Sequence, residues 1–458
     1  MSDEATIMTG DTAVGTTAGT AGIRPGASER EQARRLIQAA LDRAVERGEV
    51  AGANVLVSRR GEELWYAQSG LRSIERGEAM DRDTICRLYS QTKPVTGAAA
   101  MMLVERGVID LGDPVSAYLP AFAGQRVVAD AADGALSNDI PMDMAGTTGG
   151  RADDGARTVA ALREPTIKDL LMMTSGLPYP DGGHEAGRLV GKVFDELDAR
   201  LGTPNAMGTV ELANRLGACP LRFQPGSHWM YGTSADVMGA VIEVASGKRF
   251  GDFLHDEIFE PLGMVDTAFH VPESKLGRLA AVYDRPDCPV LEENRIAPAD
   301  RGRGVLHEIA TNHLGVEYVP DGDPAFQSGG AGLKSTLDDY MRFGRMLANG
   351  GEVDGVRLLR PTTVAMMTSS ALHARHYPDF EEWQPGYGYN TFMRIMREPG
   401  KSLMLNHVGE YGWDGWLGTY FDNDPSTGTT ILLMMQLTNA GVTPLTRRVK
   451  NIVTSYLD

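Results

Sequence analysis

Apolar and polar positions follow two different periods along this chain. Leu36, Ile37, Ala40, Leu41, Ala44 and Val45 recur at three- and four-residue intervals and predict a helix with one apolar face. Ser28-Glu29-Arg30-Glu31 reads as its capping box, with Ser28 at the N-cap, and Gly48 as its stop. Ala53 to Val57 and Glu63 to Ala67 alternate instead, and Arg59-Arg60-Gly61 between them predicts a hairpin. The other end of the chain mirrors this. Thr419 to Phe421 and Thr430 to Leu437 predict strands with a turn at Asn423-Asp424-Pro425. Thr443-Pro444 then opens a helix that carries Leu445, Val449, Ile452 and Val453 on one side.

A helix plus strands at each end predicts a mixed α/β (α+β) fold with one antiparallel sheet built from both termini and flanked by helices. Residues 28–110 and 331–458 form the sheet domain in this reading, and 111–330, richer in helical patterns, a mainly helical inserted domain. Clefts between such domains commonly hold sites. Residues 1–27 are small, polar and aperiodic, so they are expected to be disordered. The Gly/Ala/Asp-rich stretch at about 124–163 reads as a flexible surface insertion.

Composition narrows the classes of function. The 458 residues are 42% hydrophobic and 23% charged, the balance of a soluble globular protein, and carry a formal charge of −17. Such a surface repels phosphate backbones and anionic lipid heads, so neither nucleic acid nor membrane is an expected partner. No apolar run is long enough to cross a bilayer. Cys86, Cys219 and Cys288 are too few and too scattered for a disulfide framework or a thiolate zinc site. With no secretory pattern at the N-terminus, they suggest a cytoplasmic setting. His307-Glu308 and His313 do not have zinc-protease spacing, and no phosphate loop or dinucleotide fingerprint is present, so no metal or cofactor is expected. Oligomeric state is not legible.

Three segments can carry chemistry. In Ser90-Gln91-Thr92-Lys93, the following Pro94 places Ser90 at a helix N-terminus, because proline is tolerated only in the first turn. Ser90 and Lys93 then share one face. The positive helix end favours an oxyanion at Ser90 and loss of the Lys93 proton. Ser and Lys three apart also arise by chance as an N-cap with a solvated lysine; the helix start and further partners tilt the reading towards catalysis. Tyr231-Gly232-Thr233 lies on a loop that enters a helical run, where the phenol can act as general base beside a cationic lysine. His407-Val408-Gly409-Glu410 predicts a strand edge near the nucleophile, with the Glu410 N–H as second oxyanion donor. Trp413, Trp416 and Tyr387 are candidates for lining an acyl pocket. The absence of Gly-x-Ser-x-Gly disfavours an α/β-hydrolase.

Ser-x-x-Lys, Tyr-x-Thr and His-x-Gly in this order resemble the penicillin-recognising serine hydrolases, in particular the class C β-lactamase-like branch with its family VIII carboxylesterases, D-stereospecific peptidases and lovastatin-type acyltransferases. Leu170 to Leu177, Pro261-Leu262-Gly263-Met264 and Ser328 to Leu333 are also similar to segments of that branch. The resemblance implies a β-lactamase/transpeptidase-like fold, Ser90 as nucleophile, Lys93 as activating lysine and Tyr231 as base, with the N–H groups of Ser90 and Glu410 as oxyanion hole and His407 to Gly409 as the substrate-binding strand. Thr233 stands where β-lactamases keep Asn, His407 where they keep Lys, and Met173 replaces a His. These departures weigh against strong β-lactamase action and favour hydrolysis of a small acyl ester. A D-amino-acid peptidase or amidase, an acyltransferase and a catalytically silent ligand-binding protein remain as alternatives.

Overall fold

The strand periodicity at the two ends of the chain resolves into one sheet. The computed structural model describes residues 26–129, 150–151, 157–285, 306–320 and 322–457; the segment expected to be disordered lies, up to Pro25, outside them, as does most of the 124–163 insertion. Eight strands form the sheet: β1 (Gly52–Arg59), β2 (Glu62–Ser73), β3 (Glu78–Ala79), β4 (Tyr387–Asn390), β5 (Met393–Met396), β6 (Tyr411–Asp414), β7 (Tyr420–Asp424) and β8 (Thr429–Met434). Their order is β4-β5-β6-β7-β8-β1-β2-β3, antiparallel throughout. β8 and β1 join the two ends at its centre, with Val55 opposite Leu433 and Val57 opposite Ile431.

Strand alternation sorts these side chains into two cores. Val55, Val57, Ile431 and Leu433 point to one face and pack against α1 (Ala27–Glu46) and the C-terminal helix Pro444–Leu457. Leu56, Leu432 and Met434 point to the other, into a larger core shared with the helices of the chain's middle. β1 is therefore buried along its whole length. α1 begins earlier than its sequence signal. Gly26 precedes it and donates its N–H to Glu29 Oε2 at 2.8 Å. Ser28 lies inside the helix, and Glu31 accepts instead from Arg34 and Arg35 one turn on, because guanidinium groups on its own face are the stronger donors.

On the second face lie α2 (Lys93–Glu105), α3 (Glu185–Arg200) and α4 (Ser234–Ser246), the elements that frame the site. The two ends of the 124–163 stretch, Arg126–Val128 and Arg157–Ala160, pair as antiparallel strands. Among the described residues no helix is long and apolar enough to cross a membrane.

Candidate active site

Pro94 does locally what its chemistry dictates. A single 3₁₀ turn, Tyr89–Thr92, leads into α2, and Pro94 sits in the first turn of that helix, where its missing N–H costs no hydrogen bond. Ser90 lies on the 3₁₀ turn. Tyr89 before it has φ 45°, a conformation costly for a residue with a Cβ and one that clusters at functional sites. Its ring is fixed edge-on against Trp416, with centroids 4.9 Å apart.

Lys93 is fully buried. Its Nζ stands 3.1 Å from Ser90 Oγ, 3.0 Å from the Tyr179 hydroxyl and 2.8 Å from the Gly330 carbonyl. Burial among neutral partners pulls the amine down to about 7, against the opposing charges of Asp236 and Asp414. As an ammonium, Lys93 donates to all three oxygens. As an amine it keeps one lone pair, and of the three neighbours only the two hydroxyls can turn and donate to it.

Tyr231 approaches from the loop before α4. Its oxygen accepts from the Trp413 indole N–H at 3.2 Å and interacts with the Ser90 hydroxyl. Its ring lies beneath the Lys93 Nζ, 4.6 Å from the centroid. Burial pushes the phenol well above its usual pKa, more than its two donors pull it down. Gly232 permits this placement: a Cβ there would stand 1.9 Å from the Leu177 carbonyl oxygen. Asp236 on α4 accepts from Ser328 Oγ at 2.5 Å and from the Gly330 N–H at 3.0 Å. That carboxylate holds the glycine-rich turn that aims the Gly330 carbonyl at Lys93. Thr233 is buried at the N-cap of α4, and its Oγ1 has no hydrogen-bond partner among the described residues.

The structure does not bring His407, Gly409 or Glu410 to Ser90. His407 lies in a turn before β6, and the Glu410 N–H donates to the His407 carbonyl at 3.3 Å. The Glu410 carboxylate accepts from Lys450 Nζ at 2.9 Å, and His407 Nδ1 lies 2.8 Å from Asp424 Oδ2. None of the three lines a cavity at Ser90. His407, Glu410 and Asp424 have metal-ligand spacing, as do the exposed His255, Asp256 and Glu260, but the Lys450 ammonium already neutralises Glu410.

The segment beside Ser90 is Trp413-Asp414-Gly415, at the end of β6. A Cβ on Gly415 would stand 2.1 Å from the Leu88 carbonyl oxygen, so only glycine allows this approach to the turn that bears Ser90. Asp414 is ion-paired with the buried Arg394. Among the described residues, neither the Ser90 N–H nor the Trp416 N–H has a hydrogen-bond acceptor.

Sequence reasoning missed four contributors: Tyr179, Asp236, the Gly330 carbonyl and the Trp413-Asp414-Gly415 placement. The Gly330 carbonyl lies in the Ser328-to-Leu333 segment, whose sequence marks a turn and does not say what its carbonyls face. Tyr179 follows the Leu170-to-Leu177 segment at once, which is the signal that could have found it.

Two cavities meet at Ser90, Tyr231 and Trp416. One, of about 440 Å³, is walled by Trp383, Pro385, Tyr387, Met404 and Trp413. The other, of about 580 Å³, runs between α3 and the segment Thr311–Leu314.

A family model described as Beta-lactamase matches residues 34–453. Protein Rv1367c of Mycobacterium tuberculosis is 32% identical over 405 residues, 87% of this chain and 89% of that protein. Esterase EstB of Burkholderia gladioli is 29% identical over 424 residues, 91% of this chain and 94% of that protein. Among solved structures, EstCE1, described as a hydrolase with promiscuous acyltransferase activity, superposes with a TM-score of 0.70 at 22% identity, over 94% of this chain and 100% of that one.

Proposed function

Since this chain belongs to the beta-lactamase family, we propose that it is a serine hydrolase that cleaves small carboxylic esters through an acyl-enzyme on Ser90. The observation that carries this reading is a fully buried lysine amine 3.1 Å from the Ser90 hydroxyl with no carboxylate among the described residues in hydrogen-bond contact. Ser90 Oγ attacks the ester carbonyl while its proton moves to the neutral Lys93 amine. Tyr231 has too high a pKa to be ionised at rest, so it relays that proton rather than taking it first. The oxyanion accepts from the N–H groups of Ser90 and Trp416; Trp416 takes the place assigned from sequence to Glu410. Donors of this kind are worth about 3–4 kcal/mol each. As the tetrahedral intermediate collapses, the ester C–O bond breaks and the proton on Lys93 passes through a tyrosine hydroxyl to the departing alkoxide. Water then repeats the sequence in reverse and frees the acid.

Similarity to an esterase supports an ester substrate. So does the place of Trp413, whose uncharged indole lines the cavity at Ser90 where the sequence resemblance sets a strand lysine in β-lactamases. The buried free thiol of Cys86 fits a reducing, cytoplasmic setting. A chain-length series of p-nitrophenyl esters, with fluorophosphonate labelling read by intact mass, tests the proposal. Ser90→Ala is expected to lose the label and to lower kcat/KM by at least about 10³-fold. Near-normal turnover in that variant, or faster cleavage of D-aminoacyl anilides than of esters by the native enzyme, overturns it.

A further inference from the structure

Two carboxylates act on the buried Lys93 amine without touching it, and they are not equivalent. Asp414 is ion-paired with the buried Arg394, so its charge is already compensated. Asp236 is buried and has no such partner among the described residues. Its Oδ1 accepts from two neutral donors, Ser328 Oγ and the Gly330 N–H, and Lys93 supplies the main opposing charge. The Gly330 carbonyl in turn accepts from Lys93 Nζ at 2.8 Å. One residue therefore stands between carboxylate and amine, bonded to the first through its N–H and to the second through its C=O. The fit is close: a Cβ on Gly330 would lie 3.0 Å from Asp236 Oδ2.

We propose that Asp236 is the counter-ion of Lys93, acting across Gly330, and so the positioning residue that lets the amine take the Ser90 proton and hold it until the leaving group departs. This deepens the hydrolase reading and rests on it. In acylation the Ser90 O–H bond breaks, an N–H bond forms on Lys93 Nζ, and that proton leaves for the departing alkoxide. In deacylation a water O–H bond breaks in the same way, and the proton returns to Ser90 Oγ. Asp236 stays ionised throughout and takes no proton. A buried ammonium with no anion near it is costly, whereas a carboxylate in direct contact would hold the lysine as a permanent cation. A carboxylate set back by one residue favours the ammonium without fixing it. The other titratable groups facing Lys93 are the Tyr179 and Tyr231 phenols, which burial keeps neutral. The two donors to Asp236 and the charge of Lys93 favour its ionised form against burial.

The test is the pH dependence of kcat/KM for p-nitrophenyl butyrate in the native enzyme, Asp236→Asn and Ser328→Ala. Asp236→Asn keeps an oxygen for both donors and removes the charge. Asp236→Ser removes the charge with a smaller side chain if the amide variant fails to fold. Without the carboxylate the ammonium is less favoured, so the rising limb is expected to move towards acid by about one pH unit or more. The plateau is expected to fall about three- to tenfold, because the remaining amine is a weaker base. Ser328→Ala loosens the same turn but keeps the charge, and its limb is expected not to move towards acid. An unmoved limb in the uncharged variants, or an equal acid shift in Ser328→Ala, overturns the counter-ion role while Ser90-dependent hydrolysis stands. Native turnover in Lys93→Met, or absence of Ser90-dependent turnover, overturns the hydrolase mechanism itself.

Discussion

Lys93 and Lys450 are both buried lysines, with 0% and 1% of their surface exposed, and their chemistry is opposite. Lys93 touches two hydroxyls and a carbonyl, and burial pulls it down to about 7 from its ordinary 10.5. Lys450 lies 2.9 Å from Glu410 Oε1 and 3.1 Å from Asp422 Oδ2, and those charges hold it above its ordinary value despite the same desolvation. Burial alone therefore does not make a reactive lysine. Whether a compensating anion is in contact decides if the amine is a base or a fixed cation.

The two sites also respond to pH in opposite directions. Lys93 binds its proton more weakly folded than unfolded, so its contribution is most favourable above pH 10.5 and declines as pH falls towards 7. Lys450 binds its proton more tightly folded. Its contribution is fully present below its unfolded pKa and is lost as pH rises through the folded one.

The largest expected break in this comparison is Lys93→Met. It removes the proposed base and is expected to lower kcat/KM by about 10²–10⁴-fold, with no loss of stability at pH 6–7 because it also removes the buried amine's desolvation cost. In the native enzyme, kcat/KM for a p-nitrophenyl ester should rise with pH and level off above about 7, as Lys93 loses its proton. A flat profile between pH 5.5 and 8.5 would contradict the assignment. Next is Lys450→Met, which strands Glu410 and Asp422 in the core. A loss of about 3–5 kcal/mol in urea unfolding is expected. The loss should shrink at lower pH, where Glu410, already raised to about 7, takes up a proton. The midpoint of the pH–rate profile should stay in place, which separates the two lysines. The smallest effect is expected from Trp413→Phe. It deletes the 3.2 Å indole donor to Tyr231 and should cost about 1 kcal/mol, a few-fold in kcat.

Legibility from sequence followed the range of the interaction. Ser90 and Lys93 were readable because their relation is one helical turn and Pro94 dates the start of that turn. The hairpin of β1 and β2 and the terminal helices were readable because each depends on its own periodicity. The strand beside Ser90 was not. His407-Val408-Gly409 and Trp413-Asp414-Gly415 share the x-x-Gly pattern six residues apart, and no local signal says which one runs past Leu88. The capping box failed for a related reason, as Ser28 and Gly26 both precede the same apolar face and Glu31 had closer cations to satisfy.

The order of amino acids by itself determined which segments become helix or strand, that the two ends share a sheet, and that a hydroxyl and an amine sit one turn apart. Packing decided the rest. It kept Asp236 and Asp414 out of hydrogen-bond contact with Lys93, gave Lys450 two contacting carboxylates, brought Tyr179 and the Gly330 carbonyl onto the amine, and chose Gly415 for the close approach. The reason is physical: periodicity is a property of neighbours along the chain, whereas proton affinity depends on charge and solvent within a few ångströms, and those groups come from segments well separated in sequence, 86 and 237 residues away for Tyr179 and Gly330 at Lys93 and 40 for Glu410 at Lys450.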